Sequence, residues 1–232
     1  MKNSISIIIP ILNEKKNLKK LIDSIKTCLK KKRYEIIFVD DNSDDFPALV
    51  IKKYKSAFIR HILRNNCTRD LSKSCFLGIE ESKYKNILIM DGDLQHDPIY
   101  INLMTNLYFK NNYDFVIASR NFDKIINLSN TRLFASKIIT KIFSFFLEPK
   151  LVDPMSGFFI FKKKIYLKNK NKLFGKGYKI LADLIFSNKN FRFKEVEIKF
   201  AKRFYGKSKI NFKILVYIIL LLLNKIKLKY SH

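Results

Sequence analysis

The chain has 232 residues, 47% of them apolar and 21 of them Phe, which is ample material for one core and argues against a disordered chain. Lys and Arg number 46 against 20 Asp and Glu, and the net charge of +26 makes a surface that attracts nucleic acid, anionic lipid or phosphorylated substrates. Cys28, Cys67 and Cys75 are odd in number and lack CxxC spacing. That argues against a disulfide framework or zinc site and fits a reducing cytosolic setting.

In chain order, SISIIIPIL (4–12) is a short Ile-rich run read as a first strand. It meets Asn13-Glu14 with no small-residue cleavage site, so a signal peptide is not expected. NEKKNLKKLIDSIKTCLKKK places Leu18, Leu21, Ile22, Ile25 and Leu29 at helical spacing with lysines opposite. EIIFVDD (35–41) is a second buried strand, followed by a strand near 57–63 and a helix over 71–83. NILIMD (86–91), a helix from Pro98 to about Lys110, and DFVIASR (114–120) complete the regular half. Alternating strands and helices predict an α/β fold with a mainly parallel sheet. The second half reads as a helix over 131–147, a loop VDPMSGF, a strand FFIFKK, a helix over 177–188, and an alternating stretch over 193–209 that turns basic.

In such folds ligands bind beyond the carboxyl ends of the strands. Asn13-Glu14, Asp40-Asp41-Asn42-Ser43, Asp91-Gly92-Asp93 and Ser119-Arg120 all fall there. Asp91 and Asp93 can reach one hard cation if the chain bends at Gly92, and Gln95 adds a neutral oxygen. A calcium loop needs Glu at its twelfth position, where this chain has Asn102; a solvated turn is the bland alternative. Asp40 to Ser43 can bind a base and ribose or form an ordinary Asx-turn, and Pro10 with Asn13 and Glu14 is equally ambiguous. RFYGKSK combines Arg203, Lys207 and Lys209 with Gly206 and Ser208. His96 adjoins the acidic cluster without an assigned role. GxGxxG and Walker A patterns are absent.

ILVYIILLLL (214–223) is flanked by Lys207, Lys209 and Lys213 before it and Lys225, Lys227 and Lys229 after it. A helix of that length spans about 15 Å, half a bilayer core. It suits an interfacial helix on an anionic membrane surface, or a helix packed on protein.

The ordered motifs IIIPILNE, FVDDNSDD, ILIMDGDLQHDP, IASRN, VDPMSGFFIFKK and EVEIKFAKRFYGKSKI resemble the family 2 glycosyltransferases over about residues 4–210. Within them they are most similar to the dolichol-phosphate mannose synthase group, which makes polyprenyl-phosphate sugars. The resemblance implies a GT-A nucleotide-diphospho-sugar transferase fold, with a catalytic domain over 1–206 and a basic, apolar C-terminal helix over 207–232. It also implies inverting transfer with Mg²⁺ or Mn²⁺. Pro10, Glu14, Asp40 and Asp41 would cradle the nucleotide, and Asp91, Asp93 and Gln95 would hold the metal. Arg120, Arg132, Ser136, Arg203 and Lys209 would face the phosphates, and Ser156-Gly157-Phe158 would line the sugar pocket. Asp70-Leu71-Ser72 departs from the family's usual Gly-Leu pair before a serine, in a loop that the resemblance places close to the nucleotide.

The expected reaction moves a sugar from a GDP-mannose- or UDP-glucose-type donor to a dolichyl or undecaprenyl phosphate at the cytoplasmic face of the membrane. A phosphate nucleophile is largely ionised at neutral pH and needs no strong base. A glycan hydroxyl acceptor, as in cell-envelope polysaccharide synthesis, would need one, and Asp183 is the candidate. A membrane-protein partner or a homo-oligomer stays open. Nucleic-acid binding through Phe and Tyr stacking is the remote alternative, although the lysines are spread over helix faces. A silent scaffold is another, which the intact D-x-D opposes.

Overall fold

The structure, a computed structural model, describes residues 3–30, 32–54, 56–120, 151–177, 179–188 and 190–201, with Leu220 and Leu223. The helix expected over 131–147 therefore lies outside the described residues, as does the C-terminal helix over 207–232 apart from Leu220 and Leu223.

Every residue of β1 (Ile5–Ile11) is buried, as a strand covered on both faces requires. It pairs in parallel with β2 (Tyr34–Asp40) on one side and with β4 (Asn86–Ile89) on the other. β3 (Ile59–Leu63) extends the sheet beyond β2. On the far side β6 (Phe159–Lys162) runs antiparallel between β4 and β5 (Phe115–Arg120), and β7 (Phe193–Ile198) pairs in parallel with β5. The seven-stranded order is β3-β2-β1-β4-β6-β5-β7. Because β6 is reversed, its beginning lies level with the ends of its neighbours. The loop 151–158 that feeds it therefore opens on the same edge as the loops after β1, β2 and β4.

Helices cover both faces. The alternation of β1 sends Ile5, Ile7, Ile9 and Ile11 into one cluster with Leu18, Leu21, Ile22 and Ile25 of α1 (Lys15–Cys28) and Ile101 and Met104 of α4 (Tyr100–Asn111). Ile8 joins the other cluster with Cys75 and Ile79 of α3 (Leu71–Glu80). Between them stands α2 (Ala48–Ile51), a single turn, and after β6 come α5 (Lys163–Asn169) and α6 (Ile180–Phe186). Neither α2 nor α5 is read from the sequence; both are too short to set up a period.

α3 sits unusually close to the sheet, and Gly78 is the reason. A Cβ there would lie 2.5 Å from Ile8 Cγ2 and 3.1 Å from Val39 Cγ2. Glycine within a helix costs about 1 kcal/mol relative to alanine, a penalty offset here by close helix–sheet contact. Ile8 and Val39 are fully buried and have nowhere to retreat. Gly78→Ala is therefore expected to lower stability by about 1–3 kcal/mol, measured by denaturant unfolding; an unchanged midpoint would mean that α3 is not seated as described.

Candidate active site

The loops after β1 and β2 are laced together at the strand ends. Asn13 and Asn42 take left-handed backbone, with φ of 58° and 61°, which asparagine tolerates. Asn13 Oδ1 accepts from Asp44 N–H at 2.8 Å, and Asn13 N–H donates to Ser43 Oγ at 3.0 Å. Glu14 is buried and accepts from Asn17 Nδ2 at 2.7 Å. Pro10 sits in β1 opposite Val39, with its carbonyl oxygen 3.7 Å from where a Gly92 Cβ would stand.

Asp40 and Asp41 diverge. Asp40 accepts from Ser43 N–H at 2.8 Å and lies 3.2 Å from His61 Nε2. Burial pushes its pKa up, but the bonds from His61 and Ser43 outweigh that and hold it below the usual value. Asp41 accepts from the buried Arg64 guanidinium and from Asp70 N–H at 2.6 Å. Burial raises its pKa despite the pull of Arg64. The departure at Asp70-Leu71-Ser72 has a structural use. Asp70 caps α3 by accepting from Lys73 N–H, and it also accepts from Gly177 N–H at 2.9 Å. Ser72 Oγ donates to the Gly177 carbonyl at 2.8 Å. These bonds tie the start of α3 to Gly177.

The D-x-D turn follows β4. Leu94 takes φ of 62°, and Gln95 N–H donates to Asp93 Oδ1 at 3.0 Å, which folds the turn back on itself. Gln95 O accepts from Ala201 N–H at 3.0 Å, and His96 bridges Phe200 in antiparallel fashion. The Asp93 residue is buried, whereas the Asp91 side chain is 36% exposed at the edge. Gly157 is pressed against Asp91; a Cβ there would stand 2.4 Å from Asp91 Oδ2, so any larger residue would push the carboxylate aside. Among the described residues no three His, Cys, Asp or Glu side chains converge as a ready-made metal cage. Two carboxylates and an amide oxygen do fit Mg²⁺ or Mn²⁺, which keep water and substrate phosphates in their shells.

Opposite stands Arg120, at the end of β5. It donates from Nε to Asp153 Oδ2 at 2.6 Å and from Nη2 to Asp153 Oδ1 at 2.9 Å, a fork-to-fork pair. Burial opposes its charge, but Asp153 and then Asp91 raise its pKa above the ordinary value. Asp153 is fully buried and is itself placed by Glu195 of β7, whose carboxylate accepts from the N–H groups of Val152 and Asp153 and from Ser119 Oγ. Ser156 Oγ donates to the Ala118 carbonyl at 2.6 Å and accepts from Phe158 N–H. Lys179 is a second cation here. Burial first and Arg120 second push its pKa down to about 7, against the opposing pull of Asp153 and Asp91.

The structure thus gathers Asp91, Asp93, Gln95, Arg120, Ser156 and Gly157 on one edge, with Pro10, Glu14, Asp40 and Asp41 along its other half. Ser156 acts as a loop staple. Arg132, Ser136, Arg203 and Lys209 lie outside the described residues. Asp183 is buried and accepts from Phe174 N–H at 3.0 Å and Gly175 N–H at 2.9 Å, so its carboxylate is committed to that loop. Arg64, Asp153, Lys179 and Glu195 escape sequence reading. Asp153 has a usable signal in its place before Pro154, within a motif already singled out; a single Lys in so basic a chain has none.

His96 is buried, and desolvation drives its pKa from 6.5 down to about 4, against a rise from Asp93. A histidine neutral when folded but protonated when unfolded loses stability as pH falls through the window between those values. Wild type should weaken relative to His96→Phe by on the order of 3 kcal/mol between about pH 7 and pH 4, read from denaturant midpoints. A pH-independent difference would contradict the buried neutral ring.

The glycosyl transferase family 2 description matches residues 6–169. Dolichol-phosphate mannosyltransferase of Pyrococcus furiosus is 32% identical over 214 residues, covering 90% of this chain, which spans 60% of that relative's length. Dolichol-phosphate mannosyltransferase of Saccharomyces cerevisiae is 30% identical, with 91% of this chain and 82% of the relative covered. Glucosyl-3-phosphoglycerate synthase of Mycobacterium tuberculosis, solved with Mn²⁺, uridine diphosphate and glucosyl-3-phosphoglycerate, superposes with a TM-score of 0.70 at 16% identity, covering 96% of this chain and 80% of that one. This last likeness concerns the fold, which is of the GT-A kind.

Proposed function

The chain belongs to glycosyl transferase family 2, and on that premise we propose that it transfers a sugar from a nucleotide-diphospho-sugar to a polyprenyl phosphate. One observation carries the reading: Asp91 lies within electrostatic reach of both Arg120 and Lys179 at one edge of a GT-A sheet, with Asp93 in the same turn. Carboxylates beside fixed cations suit a diphosphate, whose charge needs both a metal and guanidinium or ammonium groups. The dolichol-phosphate mannosyltransferases among its relatives and the Mn²⁺ and uridine diphosphate bound by the M. tuberculosis enzyme support the same class of donor and metal.

Asp91, Asp93 and Gln95 would hold Mg²⁺ or Mn²⁺, which when bound neutralises charge on a leaving diphosphate. Asp153 holds Arg120 as a pre-oriented fork, so this guanidinium does not have to reorganise as charge develops. Lys179, poised near neutrality, gains its full charge when a phosphate comes within reach. The loops after β1 and β2, with Glu14, Asp40 and Asp41, offer the polar groups for a nucleoside. The acceptor phosphate is largely ionised at neutral pH and requires no proton to be removed. That agrees with Asp183, the base a hydroxyl acceptor would call on, being tied to two backbone amides.

Among the described residues no helix is long and apolar enough to cross a membrane. We place the protein peripherally on the cytoplasmic face, drawn there by its charge and the Lys-flanked segment 214–223. Asp93→Ala should cut transfer from labelled donor to a polyprenyl phosphate in anionic vesicles by about 100-fold. Undiminished transfer would remove the metal site, and label appearing only on a free glycan would overturn the lipid-phosphate reading.

A further inference from the structure

His96 is 2% exposed, and among the described residues neither ring nitrogen has a hydrogen-bond partner. Each buried polar atom left unmade costs about 1–3 kcal/mol, so such a ring stands out in the core. Its setting is specific. The ring lies between Phe158, with centroids 5.5 Å apart, and Phe200, 5.2 Å away, and these neighbours restrict its orientation. Nδ1 stands 3.5 Å from Asp91 Oδ2, just outside hydrogen-bond reach. The same oxygen is the nearest atom to where a Cβ on residue 157 would be. Asp91 Oδ2 is thus bounded by His96 and by the glycine backbone.

We propose that His96 is a positioning residue: its Nδ1–H holds Asp91 Oδ2 and so presents the other carboxylate oxygen of Asp91 to a divalent cation. This rests on the reading of Asp91, Asp93 and Gln95 as metal ligands. A small shift of the carboxylate closes the gap, and Gly157 leaves room for that shift where a side chain would not. An imidazole carries a proton on at least one of its two nitrogens. A carboxylate neighbour selects Nδ1 as the protonated one. Groups that orient metal ligands in this way typically affect affinity by about 10–100-fold. The competing role is packing alone, an aromatic peg joining the D-x-D turn, the loop before β6 and the segment after β7. Phenylalanine would serve that role at least as well, because it removes two unpartnered nitrogens.

The test is the binding of Mn²⁺ alone to the full chain, followed by electron paramagnetic resonance of free Mn²⁺, with thermal unfolding of each variant alongside. His96→Phe is expected to fold and to bind Mn²⁺ about 10–100-fold more weakly. His96→Asn, whose amide reaches roughly the position of Nδ1, is expected to stay within about threefold of wild type, a small fraction of that loss. Should His96→Phe fail to fold, His96→Leu takes its place, since Leu and Asn share a branched Cγ and differ in polarity. Wild-type affinity in His96→Phe or His96→Leu, or equal losses in the polar and apolar variants, would overturn the proposal. Asp93→Ala separates the two levels: if it binds Mn²⁺ like wild type, the metal reading itself fails. If it abolishes binding while His96→Phe does not weaken it, only the role of His96 fails.

Discussion

A forked ion pair between Arg120, about one-fifth exposed, and the buried Asp153 organises the candidate active edge. Asp153 is fully buried, and removing one partner of such a pair typically costs about 3–5 kcal/mol. Its place in the chain matters as much as its energy. Arg120 ends β5, while Asp153 lies in the loop that feeds the reversed strand β6. The pair thereby holds the loop so that Ser156 staples to β5 and Gly157 meets Asp91. Glu195 of β7 secures the loop from the other side through two backbone amides. Three strands and one loop share a single electrostatic anchor, and the Arg120 guanidinium also lies 5.5 Å from the Phe200 ring that packs on His96.

The charge balance of the chain takes on meaning in this frame. A net charge of +26 leaves few carboxylates to spare. Asp40, Asp41, Asp91, Asp93 and Asp153 stand at or near the carboxyl edge of the sheet, and Asp183 lies in α6. Some have turned inward as struts, Asp153 for Arg120 and Asp183 for the loop 173–175. Asp91 remains partly exposed. The result is an edge where Asp91 stands beside the cations Arg120 and Lys179, an arrangement that suits a metal-bound diphosphate.

Much of this was legible in the sequence. Ile-rich runs broken by polar residues located β1, β2 and β4, and the heptad-like spacing of Leu18, Leu21, Ile22 and Ile25 located α1, because burial on two faces or on one stripe leaves a periodic trace. Asp91 and Asp93 were legible because paired carboxylates after a buried strand are rare in so basic a chain. Strand direction was not: FFIFKK reads the same whether parallel or antiparallel, and only pairing shows that its preceding loop reaches the active edge. Lys179 and Arg64 were hidden by their numbers, since composition cannot mark one cation among 46. His96 was visible but mute, because its burial between two phenylalanines comes from residues far apart in the chain. Asp183, read as a candidate base, is a loop clamp for the same reason: its partners, the backbone amides of residues 174 and 175, carry no side-chain signature.

On the proposed function, Asp91 and Asp93 share one diphosphate site with Arg120 and Lys179. Anomalous diffraction from crystals soaked with Mn²⁺ and a nucleoside diphosphate tests it most directly. The expected Mn²⁺ peak is bounded by Asp91, Asp93 and Gln95, with the diphosphate extending toward Arg120 and Lys179 and the nucleoside over the loops after β1 and β2. Mn²⁺ bound elsewhere, or a diphosphate turned away from Arg120, would contradict it.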